Sequence, residues 1–281
     1  MRVFIWTGLC LTLAACSSPE DMSDTIGVDD AAVAEASGED AQDTLDRRVA
    51  AEAEAFAFSE TEGDQEKSFR EFSYSWPRQV SAIEPLAAAF EKERAKQLAE
   101  QKSAWTQAVA DCPEEFVSCS RNFLEVEWQV VADTPRFLSL SSNISTYTGG
   151  AHGNYGRGSM VWDRETEEQR DSLEFFTSPA ALETALGDDV CEALNAERAK
   201  RRGGPVEADA NDWASACVPL TDAVVFLGSS DGAKIDRIGI YYGPYVAGAY
   251  AEGDFEFTFP VTPEVLRTVK PDYSEAFAVA K

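Results

Sequence analysis

The chain changes character near residue 68, and that break limits what it can fold into more than any other feature. Between Ser17 and Glu66 it carries 16 Asp and Glu against only Arg47 and Arg48, and it is short of aromatic and β-branched residues. A segment of this kind buries too little apolar surface to offset the entropy of ordering, so 16–68 reads as an extended, self-repelling tether. A partner-binding acidic arm is the alternative. About −14 of the net charge of −26 sits there, which leaves the body moderately acidic. Recognition of nucleic-acid phosphates, or of anionic lipid by basic residues, is excluded on charge.

Ahead of the tether, Met1 and Arg2 open a short positive region, and Val3 to Leu13 form an apolar run too short to span a bilayer. Leu13-Ala14-Ala15-Cys16 follows and resembles the lipobox of bacterial lipoproteins. The resemblance implies a signal peptide over 1–15, cut before Cys16, whose thiol takes the diacylglycerol and anchors the chain without a transmembrane helix. Ser17 resembles the pattern of outer-membrane sorting, so the expected location is the outer membrane of the envelope, lipid-anchored and facing the periplasm. An ordinary cleaved signal with an incidental cysteine is the competing reading.

Export also decides how the other cysteines are read. Cys10 leaves with the signal, so Cys112, Cys119, Cys191 and Cys217 remain, an even number in an oxidising compartment. Of the three connectivities, short loop closure favours Cys112–Cys119 and Cys191–Cys217. Zinc competes weakly, because no Cys-x-x-Cys pair occurs and one histidine is available. No metal and no cofactor are expected.

In the body, Phe72 to Pro77 alternates as a strand, and Ile83, Leu86, Phe90, Leu98 and Trp105 recur at helical spacing, predicting a long helix over 81–110. Leu124 to Val130 and Leu138 to Ile144 alternate again and flank the turn Asp133-Thr134-Pro135-Arg136, a hairpin. Ser178 suits an N-cap, and Leu182, Leu186, Val190 and Leu194 form the apolar face of a second helix, stopped by Gly203-Gly204-Pro205. A Cys191–Cys217 bridge would pin the insertion 205–216 to it. Later strands fall at Val224–Leu227, Ile238–Tyr241 and Phe255–Phe259, and Thr262-Pro263 starts a short helix. The expected fold is α+β, with antiparallel sheets packed on two main amphipathic helices in two consecutive subdomains, 69–170 and 171–281.

The most distinctive stretch is Tyr147-Thr148-Gly149-Gly150-Ala151-His152-Gly153-Asn154, a loop between strands. Gly149 and Gly150 permit positive φ and close backbone approach, and His152 is a candidate acid, base or recognition residue. A serine partner such as Ser159 lies outside any nucleophile-elbow pattern. A histidine that bonds its own turn is the simpler reading. Farther on, Tyr241, Tyr242, Tyr245 and Tyr250 cluster around Gly243-Pro244 and Gly248, as in a loop that offers rings to sugar faces or to a protein.

The Gly-Gly-Ala-His loop followed by Asp163 to Phe176, together with the stretch from Ile238 to Pro260, resembles the extracytoplasmic domain shared by RsiV-type anti-sigma factors and the amino-terminal part of PdaC-type peptidoglycan deacetylases. The resemblance runs from about 69 to 270. The sigma-binding segment and the metal-binding deacetylase domain of those proteins have no counterpart in this sequence. The resemblance therefore implies a non-enzymatic module that binds a protein, such as a lysozyme-like one, or a peptidoglycan fragment. Gly149, Gly150, His152, Tyr242, Tyr245 and Tyr250 are its candidate ligand residues. The alternative is an envelope polymer hydrolase that uses His152 with Asp163 or Glu165.

Overall fold

The structure, a computed structural model, describes residues 53–113, 116–207, 209 and 212–281. The expected signal peptide, Cys16 and the acidic stretch up to residue 52 lie outside these residues. Among the described residues no helix is long and apolar enough to cross a membrane.

Six strands form the larger sheet in sequence order: β1 (Phe56–Gly63), β2 (Phe69–Trp76), β3 (Arg121–Asp133), β4 (Phe137–Tyr147), β5 (Asn154–Asp163) and β6 (Glu168–Arg170). β1 corrects the bounds expected for the tether, which take in residues 56–63. Phe56 and Phe58 alternate with exposed Ala57 and Ser59, and Phe56 stacks on Trp76 at 3.7 Å between ring centres. Two carboxylates on the same side of the strand are paired there. Glu60 pairs with buried Arg70 and with Lys102, and Glu62 pairs with Arg70. These contacts hold the Glu60 carboxyl below its usual range, Lys102 contributing most and Arg70 next. Acidic composition concealed the strand because its cationic partners lie elsewhere in the chain.

Two helices, α1 (Arg78–Ser81) and α2 (Glu84–Asp111), connect β2 to β3. Such a long crossover returns the chain in the same direction, so β2 and β3 pair in parallel, the one departure from the antiparallel pairing expected. Leu86, Phe90 and Trp105 of α2 are buried. Leu86 and Phe90 join a core with Phe72, Tyr74, Trp76, Val126, Leu138 and Leu140. Burial pushes the Tyr74 hydroxyl up to about 12.

The expected second helix is two, α3 (Pro179–Leu186) and α4 (Asp189–Arg202), because Gly187 adopts φ 62° between them. Ser178 caps α3 by accepting from Ala181 N. A second sheet of β7 (Val224–Gly228), β8 (Arg237–Tyr242) and β9 (Phe255–Pro260) is antiparallel, and α5 (Pro263–Leu266) follows with Thr262 as its cap. The α+β class holds. The halves 69–170 and 171–281, however, share a core: Phe137 and Val161 of the first sheet are buried among Phe175, Val225, Leu227 and Ile238. β7 lies against the far face of the large sheet, where β4 and β5 would otherwise expose apolar side chains. The cysteines pair as Cys112–Cys119 and Cys191–Cys217, the latter tying the insertion to α4.

Candidate functional site

Two loops remote in sequence meet at one end of the molecule. The first, 148–153, joins β4 to β5. Gly149 and Gly150 have φ of 94° and 98°, so both use the left-handed backbone that glycine alone adopts readily. A side chain at Gly149 would also strike the Cys119 backbone at 3.1 Å, and Tyr147 donates to the Gly150 carbonyl at 2.8 Å. The second loop, 243–254, joins β8 to β9 and carries Tyr245 and Tyr250.

His152 and Tyr250 stack with ring centres 4.0 Å apart and planes 22° from parallel. The Gly153 carbonyl accepts from the Tyr250 hydroxyl at 2.8 Å and lies 2.7 Å from His152 Nδ1. A carbonyl only accepts, so Nδ1 carries the proton in this arrangement. Tyr245, 55% exposed, lies 5.4 Å from Tyr250, and exposed Tyr155 lies edge-on to Tyr250 at 6.3 Å. The outcome is a shelf of four rings, two on each of two chain segments that the sequence separates by about 90 residues. Tyr245 is held at φ 70°, a conformation rare outside glycine, and bulky residues adopt it only where the surroundings enforce it.

The turn Gly243–Val246, closed by Val246 N donating to the Gly243 carbonyl at 3.1 Å, sets that conformation at its third residue, and three arginines of α4 that sequence reasoning missed anchor the rest of the loop. Arg198 is fully buried and donates twice to the Ala247 carbonyl, at 2.9 and 2.6 Å, and once each to Ala216 O and Asn195 Oδ1, both at 2.9 Å. Burial pulls its pKa below the usual arginine range, and the neighbouring Arg202 charge adds to this. Arg202 forms a two-oxygen pair with Glu252 at 2.5 and 2.8 Å, and Arg201 donates to the carbonyls of Glu252 and of Asp254, the latter at 2.7 Å. Arg202 keeps the Glu252 carboxyl below its usual range. The only sequence signal was the i, i+3, i+4 spacing of cations in the last turn of a helix, which ordinarily reads as charge matched to the helix dipole.

Other expected site residues fall elsewhere. Tyr242 is fully buried, donates to the Val218 carbonyl at 2.9 Å and belongs to the core, which corrects its assignment as a ligand residue. Asp163 and Glu165 are likewise corrected as partners of His152. Asp163 is the last residue of β5 and Glu165 lies just beyond it, some ten residues or about 33 Å along an extended strand from the His152 loop. Asp163 is fully buried and accepts from Arg136 Nε at 3.2 Å, Arg136 Nη2 at 3.0 Å and Glu165 N at 3.0 Å. Burial raises its carboxyl pKa, but these donors and the Arg136 and Arg170 charges outweigh it and hold the group below its usual range. Ser159 lies within β5, opposite Ser141, and not in a turn. Among the described residues no group of three His, Cys, Asp or Glu side chains is placed to hold a metal ion.

Fold and site together define an α+β module with a ring shelf where its two sheets meet. Residues 37–155 match the family described as Deacetylase PdaC, so the expected resemblance holds over that range. The match takes in β1 and ends just beyond the His152 loop. Two solved structures of the DUF3298 family are similar to the chain. One, from Bacteroides fragilis, is 14% identical with a TM-score of 0.47 and covers 80% of this chain and 97% of its own. The other, from Pseudomonas aeruginosa, is 13% identical with a TM-score of 0.48 and covers 83% of this chain and 100% of its own. No curated protein matches the sequence.

Proposed function

We propose that this chain is a non-enzymatic, lipid-anchored envelope protein whose module binds a protein or peptidoglycan-derived ligand through the shelf of His152, Tyr250, Tyr245 and Tyr155. The observation that carries this reading is Tyr245, an exposed ring kept in a strained backbone conformation beside a stacked His–Tyr pair. The Gly243–Val246 turn needs positive φ at this position and glycine would supply it at lower cost, whereas a rigid exposed ring there binds with little further loss of entropy. Cys16 would carry the acyl anchor, and the acidic stretch would hold the module off an anionic bilayer.

The test is retention of lysozyme and of solubilised peptidoglycan by the purified full chain over a salt series. An acidic protein attracts basic lysozyme without specificity, so binding must persist at about 1 M salt, where the Debye length is about 3 Å. Retention should persist and should fall at least tenfold in Tyr245→Ala and in His152→Ala. Loss of all retention with salt, or indifference to both substitutions, would overturn the reading. Cys16→Ala should release the protein from the membrane fraction, and continued membrane association would remove the anchor.

A further inference from the structure

A cavity of about 460 Å³ opens on the face of the large sheet turned away from α2, beside the 148–153 loop but distinct from the ring shelf. Its lining includes Phe69, Glu71, Arg121, Phe123 and Tyr147, with Ser118 of the turn held by the Cys112–Cys119 disulfide closing one side. The register shows why these side chains converge. β2 and β3 are parallel with Phe69 opposite Arg121 and Glu71 opposite Phe123, and Phe123 stands opposite Tyr147 of β4. All five therefore project from one face of the sheet. Phe123 and Tyr147 stack at 5.8 Å with planes 14° apart, and Phe123 remains 37% exposed.

Two opposite charges face this space without neutralising each other. Neither the Glu71 carboxylate nor the Arg121 guanidinium has an ion-pair partner within 4 Å among the described residues, whereas most other arginines of the module do. Arg121 spends one N–H on the Gln65 carbonyl at 2.6 Å, which leaves other donors of its fork uncommitted. From strand spacing and rise, the two Cα atoms stand about 8 Å apart on the diagonal. Charge complementarity then selects a ligand that carries an ammonium and a carboxylate at similar separation, with an apolar portion for the aromatic wall. The volume falls in the lower half of the roughly 300–1,000 Å³ range of small-ligand pockets.

We infer that this cavity is a binding site for a zwitterionic short peptide, with Glu71 receiving its ammonium group, Arg121 its carboxylate, and Phe123 and Tyr147 its side chains. The ammonium also lies near the faces of the aromatic wall, which favour cations. The site stands independently of the ring shelf and uses none of its residues.

Titration of the full chain with alanyl-leucine, followed by backbone amide NMR shifts, tests this directly. Saturable shifts should appear at residues 69–71, 121–123 and 147. Glu71→Gln and Arg121→Gln should each weaken binding at least tenfold. N-acetyl-alanyl-leucine should bind the unaltered chain as weakly as the free dipeptide binds Glu71→Gln, and alanyl-leucine amide should reproduce Arg121→Gln. If Arg121→Gln disturbs the sheet, the amidated peptide reads the same contact in the unaltered chain. Absence of saturable shifts at these residues, or equal binding of the blocked and free peptides, would overturn the assignment. Either outcome leaves salt-resistant retention by Tyr245 and His152 unaffected, so the two readings fail separately.

Discussion

The two ends of β5 show opposite uses of polar side chains. At the Asp163 end a carboxylate is fully buried and surrounded by Arg136, Arg170 and a backbone N–H. At the Asn154 end His152 and Tyr155 are exposed, and the loop is fixed through the Gly153 carbonyl and a ring stack. A buried, saturated charge has no capacity left for a ligand, and removing its partners exposes the full desolvation cost. Exposed rings held by backbone keep their faces free. The alternative reading of the sequence pairs His152 with Asp163 or Glu165 for hydrolysis; the strand between His152 and Asp163 makes them the markers of a surface-presenting end and a fold-holding end.

Substitution at the buried end should have the largest effect. Asp163→Ala removes the buried carboxylate that Arg136 and Arg170 share, leaving them, among the described residues, only the exposed carboxylates of Glu165, Glu168 and Glu174. It should cost about 3 kcal/mol in urea unfolding, as expected when one partner of a buried pair is removed. A loss below about 1 kcal/mol would erase the distinction between the ends. The same residue gives a pH signature. Its folded pKa lies below the usual value, so its contribution is complete above the unfolded pKa of roughly 3.9 and is lost as pH falls through the lower folded value. Acid unfolding should therefore be shallower in Asp163→Asn than in the unaltered chain, measured as stability at a series of pH values between neutrality and strong acid.

At the surface end the effects should be smaller and should separate stability from binding. Tyr250→Phe keeps the stack but removes the hydroxyl bond to Gly153, at a cost of about 1 kcal/mol. Faster hydrogen exchange confined to the 148–153 and 243–254 loops would show that this bond joins them. Tyr245→Gly relieves the positive φ and should leave stability unchanged or raise it by about 0.5 kcal/mol while abolishing retention of the ligand. A clear loss of stability on that substitution would mean that the ring serves the fold.

Much of the framework was legible because it follows from short-range pattern. The alternation of Leu124 to Val130, the Asp133–Arg136 turn, the Ser178 and Thr262 caps and the strands of the second sheet all rest on residues within a few positions of one another. β1 was not legible, since Glu60 and Glu62 look like solvated charge until Arg70 and Lys102 stand beside them. Tyr242 was misread because a tyrosine in a Tyr-Tyr-Gly-Pro run shows nothing of which ring turns inward. Arg198 was overlooked because a fully buried arginine bonded to backbone carbonyls looks, in one dimension, like any cation near a helix end.

By itself the sequence determined the α+β class, the main hairpin, the helix starts and the two loops worth attention, since each depends on local periodicity, capping chemistry or backbone freedom. Tertiary structure alone decided that those loops meet, that Tyr250 bonds across about 97 residues to Gly153, and that Glu71 and Arg121 share a cavity through a parallel pairing. Contacts between distant segments depend on strand register and crossover direction, which a helix of 28 residues between β2 and β3 sets and no local pattern encodes.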